Sequence, residues 1–158
     1  MKSETTTDRP IKFKGSMIPA ILSGAKTQTR RTVDPQPLWC ASPVRSAWPP
    51  TDEWSFGPHN LDGPNLRWWK SPYGEEGDII AVAAGDDEAE VILSAWPPIL
   101  LQITWVRIER LHAASNADIE AEGVPLGQWP SMWDSIYGDG AWEANPWVWV
   151  YEFKRLEG

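Results

Sequence analysis

An α+β domain built on a small curved sheet or barrel is the fold this sequence predicts. Strand-like stretches with a two-residue period recur near both ends and in the middle. Short helical stretches, each with its own start and stop signals, separate them. The strands are too few and too far apart for a doubly wound parallel sheet. With 158 residues, the chain has room for one domain with a real core.

The elements follow in order. "IKFKG" (11–15) alternates apolar and basic residues, as a short half-buried strand does. Ser16 can cap a helix over 17–23, with Pro19 tolerated in its first turn and Gly24 suited to its left-handed end. Residues 35–72 are rich in Pro and Trp and hold no stable period. They predict a long irregular excursion, without regular pairing, pinned to the domain by Trp side chains. "GDIIAVAA" (77–84) predicts a buried strand. "DDEAE" (86–90) reads as a solvated acidic turn, and "VILSA" (91–95) as a short strand.

"ILLQITWVRIERL" (99–111) predicts a long strand. Its alternation sets Ile103, Trp105, Arg107 and Glu109 opposite Thr104, Val106, Ile108 and Arg110. Ser115, with Asp118 three residues on and Gly123 as the stop, marks a capped helix. A second short helix covers 130–138. "WVWVYEFKRL" (147–156) is a terminal strand with Trp147, Trp149, Tyr151 and Phe153 on one face, where filling the core is the expected role.

Composition narrows the function. Net charge is −8, yet residues 1–34 hold seven Lys/Arg against three Asp/Glu. An acidic protein is a poor non-specific DNA binder, because phosphate affinity comes from cations that release counterions. A local basic patch still suits a small anion or a short nucleic-acid segment. No apolar run approaches the ~20 residues that cross a bilayer. "MKSETTTDRP" lacks the apolar core of a secretory signal, and a lone Cys40 suits a reducing cytoplasm. His59, His112 and Cys40 stand at no metal-ligand spacing, and no phosphate-binding glycine loop is present. No metal or cofactor is therefore expected.

The chemistry concentrates in "GAKTQTRRTVDP" (24–35). A partly desolvated Lys26 amine would have a lowered pKa and could take a proton. Thr27, Thr29 and Thr32 offer hydroxyls. Arg30 and Arg31 offer flat charged forks for phosphate or carboxylate. Lys26 and Thr29 would face opposite sides of a regular strand, so joint action requires Lys26 to precede the strand or a bulge to intervene. The same run also reads as a sheet edge blunted by charge. Glu122, in the last turn of its helix, is a second candidate; most such glutamates are simply solvated.

Five stretches together resemble the ASCH domain family, in particular its bacteriophage and prophage members. They are "IKFKGSMIPAILSGAKTQTRR", "YGEEGDIIAV", "ITWVRIERLHAASNADIEAEGV", "MWDSIYG" and "NPWVWVYEFKRL". The resemblance implies a PUA-like fold, a small β-barrel flanked by short helices. It also implies one such domain across 1–158, with the Pro/Trp-rich stretch 35–72 as an insertion. It implies a nucleoside or single-stranded RNA as ligand, no metal, no cofactor, no membrane, and the cytoplasm of a bacterial host. By similarity to a small N4-acetylcytidine amidohydrolase of this family, "GAKTQT" puts catalytic roles on Lys26 and Thr29, and "AEGV" puts the carboxylate on Glu122. The family's Arg near the Thr matches Arg31; Arg30 and Thr27 join it as substrate-binding candidates. "AAGDDEAEVILSAW" departs from the family's usual segment, so one pocket wall differs. Alternative readings are a non-catalytic RNA-binding module, a metal-independent ribonuclease, or a phage assembly or host-takeover factor.

Overall fold

Strand β8 (Trp147–Leu156) organises the molecule because both of its faces are covered. In this computed structural model the described residues are 10–37, 43–47, 50–55 and 69–156. Trp147, Trp149, Tyr151 and Phe153 enter the larger core with Ile11, Ile18, Ile80 and Leu101. Val148 and Val150 point the other way, into a smaller core with Leu111, Val124, Trp129 and Trp133. The period of two thus builds two cores from one strand.

The elements are β1 (Ile11–Phe13), α1 (Ile18–Ser23), β2 (Gln28–Thr32), β3 (Val44–Ala47), β4 (Pro50–Ser55) and β5 (Trp69–Lys70). They continue with β6 (Ile79–Ala84), α2 (Asp87–Ser94), β7 (Leu100–Arg110), α3 (Asn116–Ala121), α4 (Trp129–Tyr137) and β8. Five strands make one mixed sheet in the order β1-β6-β7-β8-β2, and β3-β4-β5 make a second, antiparallel one. Mixed α+β architecture is what the sequence predicts. The larger sheet is open: among the described residues no ladder joins β1 to β2. A side chain spans the gap instead, Arg31 Nη2 donating to the Lys12 carbonyl at 2.8 Å.

Several expectations are corrected. The acidic "DDEAE" is no turn and "VILSA" no strand: together they form α2. The Asp86 carboxylate caps it, accepting from Ala89 N at 2.7 Å, and Asp87, Glu88 and Glu90 suit the positive end of the helix dipole. Ala89, fully buried, and the partly buried Ile92 and Leu93 face the core at helical spacing. Ser16 does not cap α1; a 3-10 turn over Gly15–Met17 leads into it, and no side chain caps its start.

Strand β7 breaks its own alternation. Ile103 pairs with Phe153, but Trp105 pairs with the next residue back, Glu152, so one extra residue bulges between them. The bulge shifts the phase by one. Ile103 is 1% exposed and Trp105 51%, although the sequence places them on one face. Residues 35–72 are also more regular than expected, since β3, β4 and β5 lie within them and pair. Anchoring by Trp holds for Trp54, which is buried and packs edge-on against Trp149 at 6.3 Å. Cys40 and His59 lie outside the described residues.

Candidate functional site

The basic run begins where α1 ends. Gly24 adopts a left-handed φ of +82° and closes the helix, and Lys26 N then donates back to the Ala20 carbonyl. Lys26 therefore sits in the turn before β2, as joint action with Thr29 requires. Thr27 follows with both backbone groups engaged, N to Ala121 and O from Phe153. Those two bonds tie the start of β2 to α3 on one side and to β8 on the other.

Lys26 and Glu122, 96 positions apart, meet in the interior at 4% and 3% exposure. The Lys26 ammonium donates to Glu122 Oε2 at 2.9 Å, to the Glu122 carbonyl at 2.8 Å and to the Gln28 carbonyl at 2.8 Å. Three protons meet three acceptors. Glu122 caps the end of α3, and the chain turns there through Gly123 at φ +81°. A Cβ on Gly123 would stand 3.2 Å from Lys26 Cβ and 3.3 Å from Ala20 Cβ. Glycine thus meets both the backbone and the space demands of this approach.

Strand alternation sorts the rest of the run. Gln28 and Arg30 face α3. Arg30 donates to Gln28 Oε1 at 2.8 Å, to Glu122 Oε1 at 3.1 Å and to Glu109 Oε1 at 2.6 Å, and lies 3.5 Å from Asp118. Its side chain is wholly buried. Arg30, a substrate-binding candidate from the sequence, is held by internal carboxylates. Thr27 is exposed on the surface. Gln28 and Glu109 were not singled out by the sequence; the i, i+2 spacing of Gln28 and Arg30 is the signal that links them.

Thr29 and Arg31 face the other way. Thr29 is buried opposite Tyr151 in the β2–β8 ladder, and Arg31 is opposite Trp149. Arg31 Nε donates to Thr29 Oγ1 at 3.2 Å. No hydrogen bond joins Thr29 to Lys26 among the described residues. Lys26 and Arg31 share a neighbour instead: the ammonium and the guanidinium stand 5.6 Å and 5.0 Å from the Phe13 ring centre.

Beyond Arg31 opens a cleft of about 790 Å³. It is lined by Arg31 and Thr32 of β2, Trp149 of β8, Tyr137 of α4 and Trp69 and Lys70 of β5, with Ser71 and Tyr73 after β5 and Asp34 after β2. Lys26, Thr29 and Glu122 do not line it. Ser71 donates to the Gly74 carbonyl at 2.6 Å, which leaves the Tyr151 hydroxyl to donate to Ser71 Oγ at 2.8 Å. Burial pushes the Tyr151 phenol far above its ordinary pKa, so it stays a donor and no base. Trp69 and Tyr73 escaped the sequence reading; their one signal is an aromatic pair flanking Ser71-Pro72 at the end of the insertion.

Burial pushes the Lys26 amine below its ordinary pKa; the Glu122 carboxylate opposes this and the Arg31 and Arg30 charges add to it. The unfolded chain keeps this proton up to about 10.5. Between the depressed folded value and that limit the unfolded state binds more protons, so the Lys26 contribution to stability rises with pH. Urea titrations compare the unsubstituted chain with Lys26→Met across this alkaline window. The stability difference, unsubstituted minus variant, grows with pH; a flat difference would show that Lys26 titrates as in free chain.

No protein-family model matches this chain, and no curated protein does. Among solved structures, the crystal structure of protein EF3133 from Enterococcus faecalis V583, of family DUF984, is similar with a TM-score of 0.45 and 13% identity. The alignment covers 90% of this chain and 69% of that one. A likeness of that depth assigns neither family nor activity. No helix among the described residues is long and apolar enough to cross a membrane.

Proposed function

We propose that this chain is an ASCH-type, PUA-like protein that recognises a nucleoside, free or within single-stranded RNA, in the aromatic cleft. The observation that carries this reading is the cleft itself. It is of ligand size and walled by Trp69, Tyr73, Tyr137 and Trp149, with the Arg31 guanidinium among them. Aromatic faces stack on bases, and a guanidinium donates to base or phosphate oxygens.

The chemistry that fits the neighbouring groups is hydrolysis of an amide on a modified cytidine. The Thr29 hydroxyl, already held by Arg31, would attack the acyl carbon and pass its proton to Lys26, and a water would then hydrolyse the acyl-threonine to free the acid; alternatively Thr29 would orient the water that attacks directly. Lys26 must first pass one of its three protons to Glu122 before it can accept another. It would then return that proton to the departing exocyclic nitrogen. In this reading Arg31, which lines the cleft, ties it to Thr29. Incubation with N4-acetylcytidine should release cytidine at a rate that falls at least about a hundredfold in Lys26→Ala. Absence of turnover, or equal turnover in the variant, removes the amidohydrolase reading.

A second reading, binding without catalysis, is favoured by a specific observation. All three ammonium protons of Lys26 have protein acceptors, and the pair does not line the cleft. Buried pairs of that kind often serve the fold alone. Binding of cytidine or short RNA that survives Lys26→Met, with no turnover in either chain, identifies this case.

A further inference from the structure

We propose that the ligand of the cleft carries a phosphate beside its aromatic ring, and that Arg31 is the group that receives it. This deepens the nucleoside reading and rests on it: the preferred ligand is a nucleotide, not a neutral nucleoside.

The inference comes from how cations are matched in the interior. Lys26 has Glu122. Arg30 has Glu109, Asp118 and Glu122. Arg107 has Glu109, Asp118 and Glu152. Arg31 is half-buried, yet no carboxylate among the described residues, Asp34 included, lies within ion-pair distance of it. Its hydrogen-bond acceptors are neutral: Thr29 Oγ1 and the Lys12 carbonyl. Nη1 reaches no acceptor among the described residues. The guanidinium lies 5.0 Å from the Phe13 ring centre and 6.0 Å from that of Tyr73.

Those contacts orient the fork without neutralising it. A charge held partly out of water and unmatched is costly, and an anion brought to it gains accordingly. The chain as a whole repels anions at a net charge of −8, so this exception is local. Lys70 lines the same cleft and stands opposite Glu53 in the β4–β5 ladder. Arg31 therefore carries the recognition and Lys70 adds to it. The aromatic walls take the base, and the phosphate lies at the Arg31 end.

The phosphate could belong to a free nucleotide or to an RNA strand. Binding is followed by quenching of Trp fluorescence, with three probes: cytidine, cytidine 5′-monophosphate and the dinucleotide cytidylyl-cytidine. At low salt at least one phosphate-bearing probe binds about tenfold or more tightly than cytidine. A stronger monophosphate assigns the site to free nucleotides, and an equal or stronger dinucleotide assigns it to a strand; both uphold the inference. Arg31→Gln closes the gap, while Arg31→Lys keeps part of it. Because Arg31→Gln also loses the bond to Lys12, the unsubstituted chain supplies a second measurement. Rising sodium chloride weakens the phosphate-bearing probes and leaves cytidine little changed. Equal binding of all three probes, one salt response for all, or a preference that persists in a folded Arg31→Gln overturns the inference while the nucleoside reading stands. No binding of any probe overturns both.

Discussion

Glu122→Ala should destabilise the chain by about 3–5 kcal/mol, the penalty typical of removing one partner from a buried ion pair. Two cations depend on that carboxylate, Lys26 at 2.9 Å and Arg30 at 3.1 Å. Arg30 keeps Glu109, Asp118 and Gln28, whereas Lys26 keeps only two backbone carbonyls. Most of the loss therefore falls on Lys26. Urea denaturation with an unchanged slope measures it. The double variant Lys26→Met/Glu122→Leu removes charge from both sides and should recover most of the loss, since apolar replacement of a buried pair is often close to neutral. A loss below about 1 kcal/mol in Glu122→Ala would mean that water reaches the pair. The double variant also separates two roles. A stable chain without turnover assigns the pair to chemistry, and a stable chain with full ligand handling assigns it to folding.

Trp149→Ala should cost a further about 3–5 kcal/mol, as for other large buried aromatics. Trp149 is 2% exposed and pairs in register with Arg31 on one side and Ile108 on the other. Its ring meets Trp54 edge-on, so it is also a contact between the two sheets. Loss of the ring should loosen β4 and remove one wall of the cleft together. Amide hydrogen exchange would register the first effect as faster exchange in β4 and β5, and ligand titration the second as weaker binding. Trp149→Phe should retain more than half of the lost stability. Exchange in β4 and β5 that is the same in Trp149→Ala as in the unsubstituted chain would show that the small sheet is held elsewhere.

Much of this architecture was legible in the sequence wherever a pattern was local. Strand β8 alternates without a fault, and its two faces fill two cores. The Ser115–Asp118 capping box and the glycines at 24 and 123 marked helix ends correctly. Failures came where long-range packing decided. The apolar "VIL" of α2 suits a strand by propensity, but Asp86 both caps the helix and accepts from Gly15 N, 71 positions away. In β7 the bulge at Thr104 overrides the local period. The pairing of β3, β4 and β5 bridges a Pro-rich stretch in which local turn signals suggest none.

The site divides along the same line. Gly24 marked the helix end before Lys26 but left open whether Lys26 preceded the strand or a bulge intervened; it precedes β2. That Glu122 would reach it across 96 positions came from a family resemblance, since no spacing within one chain encodes such a meeting. Arg30 and Arg31 are neighbours of one chemistry, and nothing local separates their fates. The strand's period does: it turns one toward the carboxylates of Glu109 and Glu122 and the other toward the aromatic cleft.

The strand order has a consequence for the growing chain. Among the described residues β2 has a single strand neighbour, β8, the last element in the order. During synthesis Thr29 and Arg31 emerge early and wait, without their strand partner, until β8 is translated. The part of the cleft built by Arg31 and Trp149, which face each other across the β2–β8 ladder, is therefore completed only once β8 has emerged.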